Sequence, residues 1–208
     1  MIIKKEDAMK FEIKMFEYKG IPVYFRLWFL LLFAWMEPLT VVSLFFAVLF
    51  HEMGHAWAAD RLGYRTRSIA IDLFFGSADV DMDHCPPRDS IKIVAAGPLA
   101  NLLLFGISMM LLGIFPGTTF FASMAAVNII LFLFNILPIF PMDGGRMAKD
   151  FLTMKMRDRL AAKKTAGWIS LATSAALLAF SLASGNWITA LFCLLFGYFA
   201  LKEIGYLK

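Results

Sequence analysis

Residues 39–59 read LTVVSLFFAVLFHEMGHAWAA, an apolar run interrupted by two histidines and a single acid. About 20 mostly apolar residues are what a helix needs to cross the hydrocarbon core of a bilayer. Glu52 is the one acidic residue in the run, and a carboxylate at mid-bilayer depth costs about 2.5–3.5 kcal/mol even on the lenient insertion scale. A residue carrying that penalty needs a partner and a task. His51-Glu52-Met53-Gly54-His55 spells H-E-x-x-H, and positions i and i+4 share one face of a helix. The sequence therefore proposes His51 and His55 as ligands of one zinc ion, with Glu52 beside them facing the water that the ion would activate.

The rest of the chain agrees with a membrane setting. Of its 208 residues 60% are hydrophobic and only 17% charged, with 22 phenylalanines, too apolar for an ordinary soluble domain. The expectation is one membrane-embedded domain, 1–208. The first 20 residues are mixed and charged, with no apolar core of a cleavable signal peptide. Cys85 and Cys193 give no disulfide framework and are expected to be unpaired.

Six candidate spans follow from the apolar runs, at about 25–36, 39–59, 91–115, 119–137, 166–183 and 187–202. The fold class predicted is an all-α polytopic membrane protein of six transmembrane helices, with small β-hairpin segments on the cytoplasmic side. Five Lys/Arg precede the first span and Arg26 lies at its start, five lie around the 60–92 connection, seven in 146–164 and two at the end, which accounts for all 20. With six alternating spans every one falls on the same side. The positive-inside rule then places both termini and both long connections in the cytoplasm. The net charge of +4 thus reports membrane orientation, and no nucleic-acid partner is expected.

That topology selects a third ligand. His51 lies nine residues before Asp60, about 13 Å below the cytoplasmic end of its span. The fourth span also runs inward and ends in Asn135-Ile136-Leu137-Pro138-Ile139-Phe140-Pro141-Met142-Asp143-Gly144-Gly145. Pro138 and Pro141 forbid a regular helix there, and the glycine pair permits a tight turn. Asp143 reaches a similar depth on the same side and is the candidate third zinc ligand. Irregular backbone at membrane depth survives only when protein buries it or water lines it, so a hydrated cavity is expected at this end. Zinc held by three protein ligands lowers the pKa of a water and polarises a carbonyl. Glu52 would take the proton from that water and return it to a leaving amine.

These residues resemble the site-2 protease family of intramembrane zinc metalloproteases. HEMGH is similar to the family's zinc helix, and NILPIFPMDGG to its Asn-x-x-Pro-x-x-Pro-x-Asp-Gly motif. Gly97-Pro98-Leu99-Ala100-Asn101 resembles its Gly-Pro-x-x-Asn element. The resemblance covers residues 20 to 208. It implies one Zn2+ per chain, hydrolysis of peptide bonds within transmembrane segments of other membrane proteins, and a lipid bilayer as the setting. It also implies that Asn101 and Asn135 are polar groups near the site, orienting substrate or bracing the core helices. The PDZ-like domain and the nucleotide-sensing region of some relatives find no place between the spans or after Lys208, so a near-minimal core is expected.

Segments outside the spans carry weaker signals. Phe11–Met15 alternates with period two, and Lys19-Gly20 could turn it into a second strand, Ile21–Phe25. Ser68–Asp83 shows the same alternation around Phe74-Phe75-Gly76, and by resemblance lies beside the active-site cleft. An edge strand there could hold an unwound substrate by strand addition. Asp79, Asp81 and Asp83 read as a solvated strand face, His84-Cys85 as a loop, Asp60 as the end of a span and Asn128 as an interhelical hydrogen-bond former. Lys155–Lys164 reads as a basic amphipathic stretch against anionic headgroups. Spans 1 and 6 are candidates for a lateral gate. Two rival readings predict different residues. A chambered membrane protease takes its third ligand from a helical Glu, whereas this chain offers Asp143 in a Pro/Gly break. A transporter would spread ionisable groups along several spans, whereas here they concentrate in one place.

Overall fold

The computed structural model describes residues 11–72, 76–156 and 158–206. They fall into two compact units, Met1–Asp83 with Ala96–Phe132, and His84–Ala95 with Leu133–Lys208. Phe74 and Phe75 lie outside the described residues, as do the first ten of the expected N-terminal segment 1–25.

In the first unit, strands β1 (Glu12–Tyr18) and β2 (Ile21–Arg26) lead into eight residues of 3-10 helix, Leu27–Ala34, and then into helix α1 (Pro38–Arg61). Strands β3 (Thr66–Ile71) and β4 (Ser77–Val80) follow. Pro38 opens α1, where its missing N–H breaks no helical hydrogen bond. The two expected hairpins merge into one four-stranded sheet of order β1-β2-β3-β4, because β2 pairs in parallel with β3. A parallel pair needs a crossover connection, and the 3-10 segment with α1 supplies it.

The segment expected as the first span, 25–36, is thus not a long helix. It is the end of β2 followed by 3-10 helix. Lys19 Nζ holds Asp60 Oδ2 at 2.8 Å, so the β1–β2 turn sits at the C-terminal end of α1. The 3-10 segment ends at the turn that enters the other end of α1. Residues 20–35 therefore run antiparallel to α1 along its whole length, about 36 Å. A strand at about 3.3 Å and a 3-10 helix at about 2.0 Å per residue cover that depth in fewer residues than an α-helix. Phe25 and Phe29 meet Phe45 edge-on at 5.8 and 6.1 Å, and Val23, Val41, Leu49, Ala56, Ile69 and Ile71 fill the core between sheet and helix. As an inner strand β2 has both edges paired, which satisfies backbone groups that lipid could not.

Helix α2 (Pro87–Ile114) and helix α3 (Thr119–Ile136) each contribute to both units. In the second unit, α4 (Asp143–Lys155), α5 (Arg159–Ala183) and α6 (Trp187–Ile204) follow the break after α3. The expected loop 146–164 is mostly helical. Its basic stretch is divided by Asp158, whose Oδ1 accepts from the N–H of Leu160 and Ala161 at 2.8 and 3.2 Å and so starts a new helix. Gly167 lets α5 approach the Ile204 side chain on α6, and Lys163 Nζ meets Glu203 Oε2 at 3.1 Å. Ser90 on α2 donates to Asp150 on α4. Asn186 caps α6 by accepting from the N–H of Thr189 at 3.1 Å. Among the described residues five helices, α1, α2, α3, α5 and α6, are long and apolar enough to cross a membrane.

Candidate metal centre

The first unit builds the histidine pair from three glycine and asparagine contacts on facing helices. Gly54 lets α2 come close: a Cβ there would lie 2.6 Å from the Ala96 carbonyl oxygen. The approach lays Gly97 against the imidazoles, where a Cβ would fall onto His55 and 2.8 Å from His51 Nε2. One turn further along α2, Asn101 Oδ1 lies 2.6 Å from His51 Nδ1. Its Nδ2 donates to the Ala47 carbonyl at 3.0 Å and to Asn128 Oδ1 at 2.8 Å. Asn128 Nδ2 in turn donates to the Met124 carbonyl at 2.9 Å. Asn101 and Asn128 are wholly buried.

His51, Glu52 and His55 are all buried on α1. The two histidine Nε2 atoms lie 3.1 Å apart, with the rings nearly perpendicular at 86°. Two imidazole nitrogens at 2.0–2.1 Å from a tetrahedral zinc would be about 3.3 Å apart, so the pair fits that metal. Gly76, just before β4, abuts the Glu52 side chain so closely that a Cβ there would displace the carboxylate.

In the second unit, α3 stops at Ile136 ahead of Pro138, and the chain turns into α4 with Asp143 in its first turn. The Phe140 N–H donates to Ser170 Oγ at 2.9 Å, pinning the turn to α5. Ile139 and Met142 pack with Phe196 in the core of this unit. Gly144 and Gly145 are helical, and smallness is what they supply: added Cβ atoms would run into the backbone of Leu137 and Ile139. Asp143 is buried, with Arg146 Nη1 at 4.0 Å from its Oδ1. Asn135 is half-buried near the end of α3.

His51, His55 and Asp143 are placed to bind a metal ion, the one such group found among the described residues. Two nitrogens and a carboxylate oxygen form a donor set that suits zinc and leaves a fourth position open. Two other acids singled out in the sequence are held in ion pairs. Arg67 Nη2 engages Asp81 Oδ2 at 2.7 Å, Asp60 is taken by Lys19, and Cys85 and Cys193 are both free. Gly97 stands out in the sequence only within its Gly-Pro-x-x-Asn element and Gly76 only within a strand alternation, neither with a contact role, and Ser170 was missed. A small residue announces a close approach only weakly.

The structure resembles the solved site-2 protease from Methanocaldococcus jannaschii, with a TM-score of 0.70 and 26% identity over 95% of this chain and 97% of that one. A curated zinc metalloprotease from the same organism is 31% identical over 94% of this chain and 61% of its own length. The stage IV sporulation protein FB of Bacillus subtilis is 29% identical over 51% of this chain and 38% of its own. The chain thus spans less than two thirds of either curated relative. The profile of peptidase family M50 matches residues 39–119 and 117–181. The chain belongs to that metallopeptidase family, and zinc is the metal its relatives name. With five apolar helices, it is an integral membrane protein.

Proposed function

We propose that the chain is a zinc endopeptidase that hydrolyses peptide bonds within transmembrane segments of other membrane proteins. The observation that carries this reading is the pair of buried, converging imidazoles with Glu52 between them on an apolar helix. His51, His55 and Asp143 are the proposed ligands. Zinc held there would supply Lewis acidity toward a water and the scissile carbonyl. Glu52 is the proposed general base, taking a proton from the attacking water and delivering it to the leaving amine nitrogen. Asn135 and Asn101 are proposed as polar supports, Asn135 for substrate and Asn101 for the helices that carry the ligands.

The chain is proposed to cross the membrane six times, with residues 21–34 crossing as strand and 3-10 helix and both termini in the cytoplasm. The clustering of basic residues supports that orientation. A substrate helix hides its carbonyls, so it must unwind to be cut. The β4 edge, which among the described residues pairs with β3 alone and begins beside Glu52, is proposed to hold the unwound strand. Prolines placed across Ile69–Val80 are expected to spare zinc binding and abolish cleavage. Unchanged cleavage would remove the strand-addition role.

Elemental analysis of the purified chain tests the centre directly. About one zinc per chain is expected in the natural sequence, with depletion in His51→Ala and Asp143→Ala. Glu52→Gln is expected to keep zinc and lose cleavage by at least about 100-fold. A folded natural chain that stays empty after reconstitution, or Asp143→Ala binding as tightly as the parent, overturns the ligand assignment.

A further inference from the structure

We infer that Asn128 is a positioning residue that, through Asn101, fixes the tautomer in which His51 meets the metal. The inference rests on the zinc reading above and adds a residue to it. The argument is one of hydrogen-bond direction. A backbone carbonyl can only accept, and two carbonyls bracket this chain of bonds. The Met124 carbonyl accepts from Asn128, so the nitrogen of that amide faces Met124 and its oxygen faces Asn101. The Ala47 carbonyl and the Asn128 oxygen then both require donors, and Asn101 Nδ2 has two hydrogens, one for each. Only the Asn101 oxygen is left for His51 Nδ1, at 2.6 Å. That oxygen must accept, so Nδ1 carries the proton and Nε2 presents its lone pair toward His55.

Two acceptors together hold the direction. With the Ala47 carbonyl alone, one Asn101 N–H would face no acceptor in a buried site and the hold on the amide would weaken. Asn128 provides the second acceptor, and it reaches the network from a different helix. Turning either amide over would set nitrogen against nitrogen or oxygen against carbonyl oxygen in a wholly buried site, where unpaired polar groups are costly. A ligating histidine whose other nitrogen lacks its partner loses both orientation and tautomer preference, and such outer partners are typically worth 10- to 100-fold in metal affinity. An ordinary interhelical hydrogen bond would hold α2 to α3 and leave the imidazole proton unaffected.

The chain has three histidines, His51, His55 and His84, so 15N-histidine spectra of the metal-free protein in detergent are tractable. Zinc affinity is measured on the same samples by competition with a chromophoric chelator. His51 is expected as the Nδ1–H tautomer in the natural chain. In Asn128→Leu and Asn101→Leu it should shift toward the Nε2–H form, with zinc affinity falling about tenfold or more. Asn128→Thr, whose hydroxyl can donate to the Met124 carbonyl and accept from Asn101, is expected to restore both. That rescue also decides the matter should the leucine variants fail to fold: a folded threonine variant with His51 in the Nε2–H form overturns the inference. So does Asn128→Leu with the parent's tautomer and affinity. A natural chain that binds no zinc yet keeps the His51 tautomer defeats the zinc reading and leaves the hydrogen-bond direction standing.

Discussion

Gly97 shows how much of this centre depends on atoms that are missing. Its lack of a side chain is what allows α2 to lie against both imidazoles. Gly97→Ala is therefore expected to push the rings apart and lower zinc affinity at least about tenfold, a loss comparable to removing a ligand's outer partner. Gly106→Ala on the same helix meets nothing within 4 Å. It is expected to bind zinc as the parent does and to gain up to about 1 kcal/mol from helix propensity. Chelator competition and thermal unfolding of the two variants check the pair. Gly144→Ala meets backbone instead of a side-chain ring and is expected to destabilise the chain by about 1–3 kcal/mol, as overpacking does. The candidate ligands could be picked out in the sequence because H-E-x-x-H and an aspartate in a Pro/Gly break have few other uses in an apolar chain. The direction of the Asn101–Asn128 bonds was not legible. It depends on two carbonyls, Ala47 and Met124, that any residue would supply.

The helices were legible for a plain reason: a long apolar run has few alternatives. Four of the five long helices lie within four residues of their expected spans at each end, and α5 begins seven residues earlier than expected, at Arg159. Residues 25–36 differ because hydropathy measures the solvent a segment prefers and says nothing of its rise per residue. The parallel pairing of β2 with β3 sets Val23 against Ile69 and Phe25 against Ile71, residues far apart along the chain, and no local pattern encodes that. The β3–β4 pair carries its own pH signature. The Arg67 guanidinium and the Asp83 N–H hold the Asp81 carboxyl below its usual range. A group depressed in the folded state contributes stability above its ordinary pKa, about 3.9, and loses it as pH falls through the folded value. The protection of backbone amides in β3 and β4, taken relative to their intrinsic exchange rates, is expected to fall as the pH is taken below about 4. Asp81→Asn is expected to show the lower protection already at neutral pH and to lose that dependence.

For the whole chain, cysteine placement gives a direct reading of orientation. Cys193 is buried, whereas Cys85 is partly exposed in the 60–92 connection. A membrane-impermeant maleimide is expected to label Cys85 in inverted vesicles and not in intact cells. The opposite result would reverse the proposed sidedness. Zinc is expected to stabilise the natural chain by about 4.1 kcal/mol at a free concentration 1,000 times its dissociation constant. Asp143→Ala is expected to lose most of that gain, read as the shift of the unfolding midpoint on chelation.

The parallel β2–β3 pair also imposes an order on biogenesis. The inner edge of β2 has no strand to receive it until α1 has been translated and threaded and β3 has emerged behind it. For that interval the N-terminal hairpin waits with an open edge, the condition in which nascent chains misassemble. A ribosome stalled just after α1 should therefore yield a chain that is inserted yet sensitive to membrane quality-control proteases. One stalled after β4 should be protected.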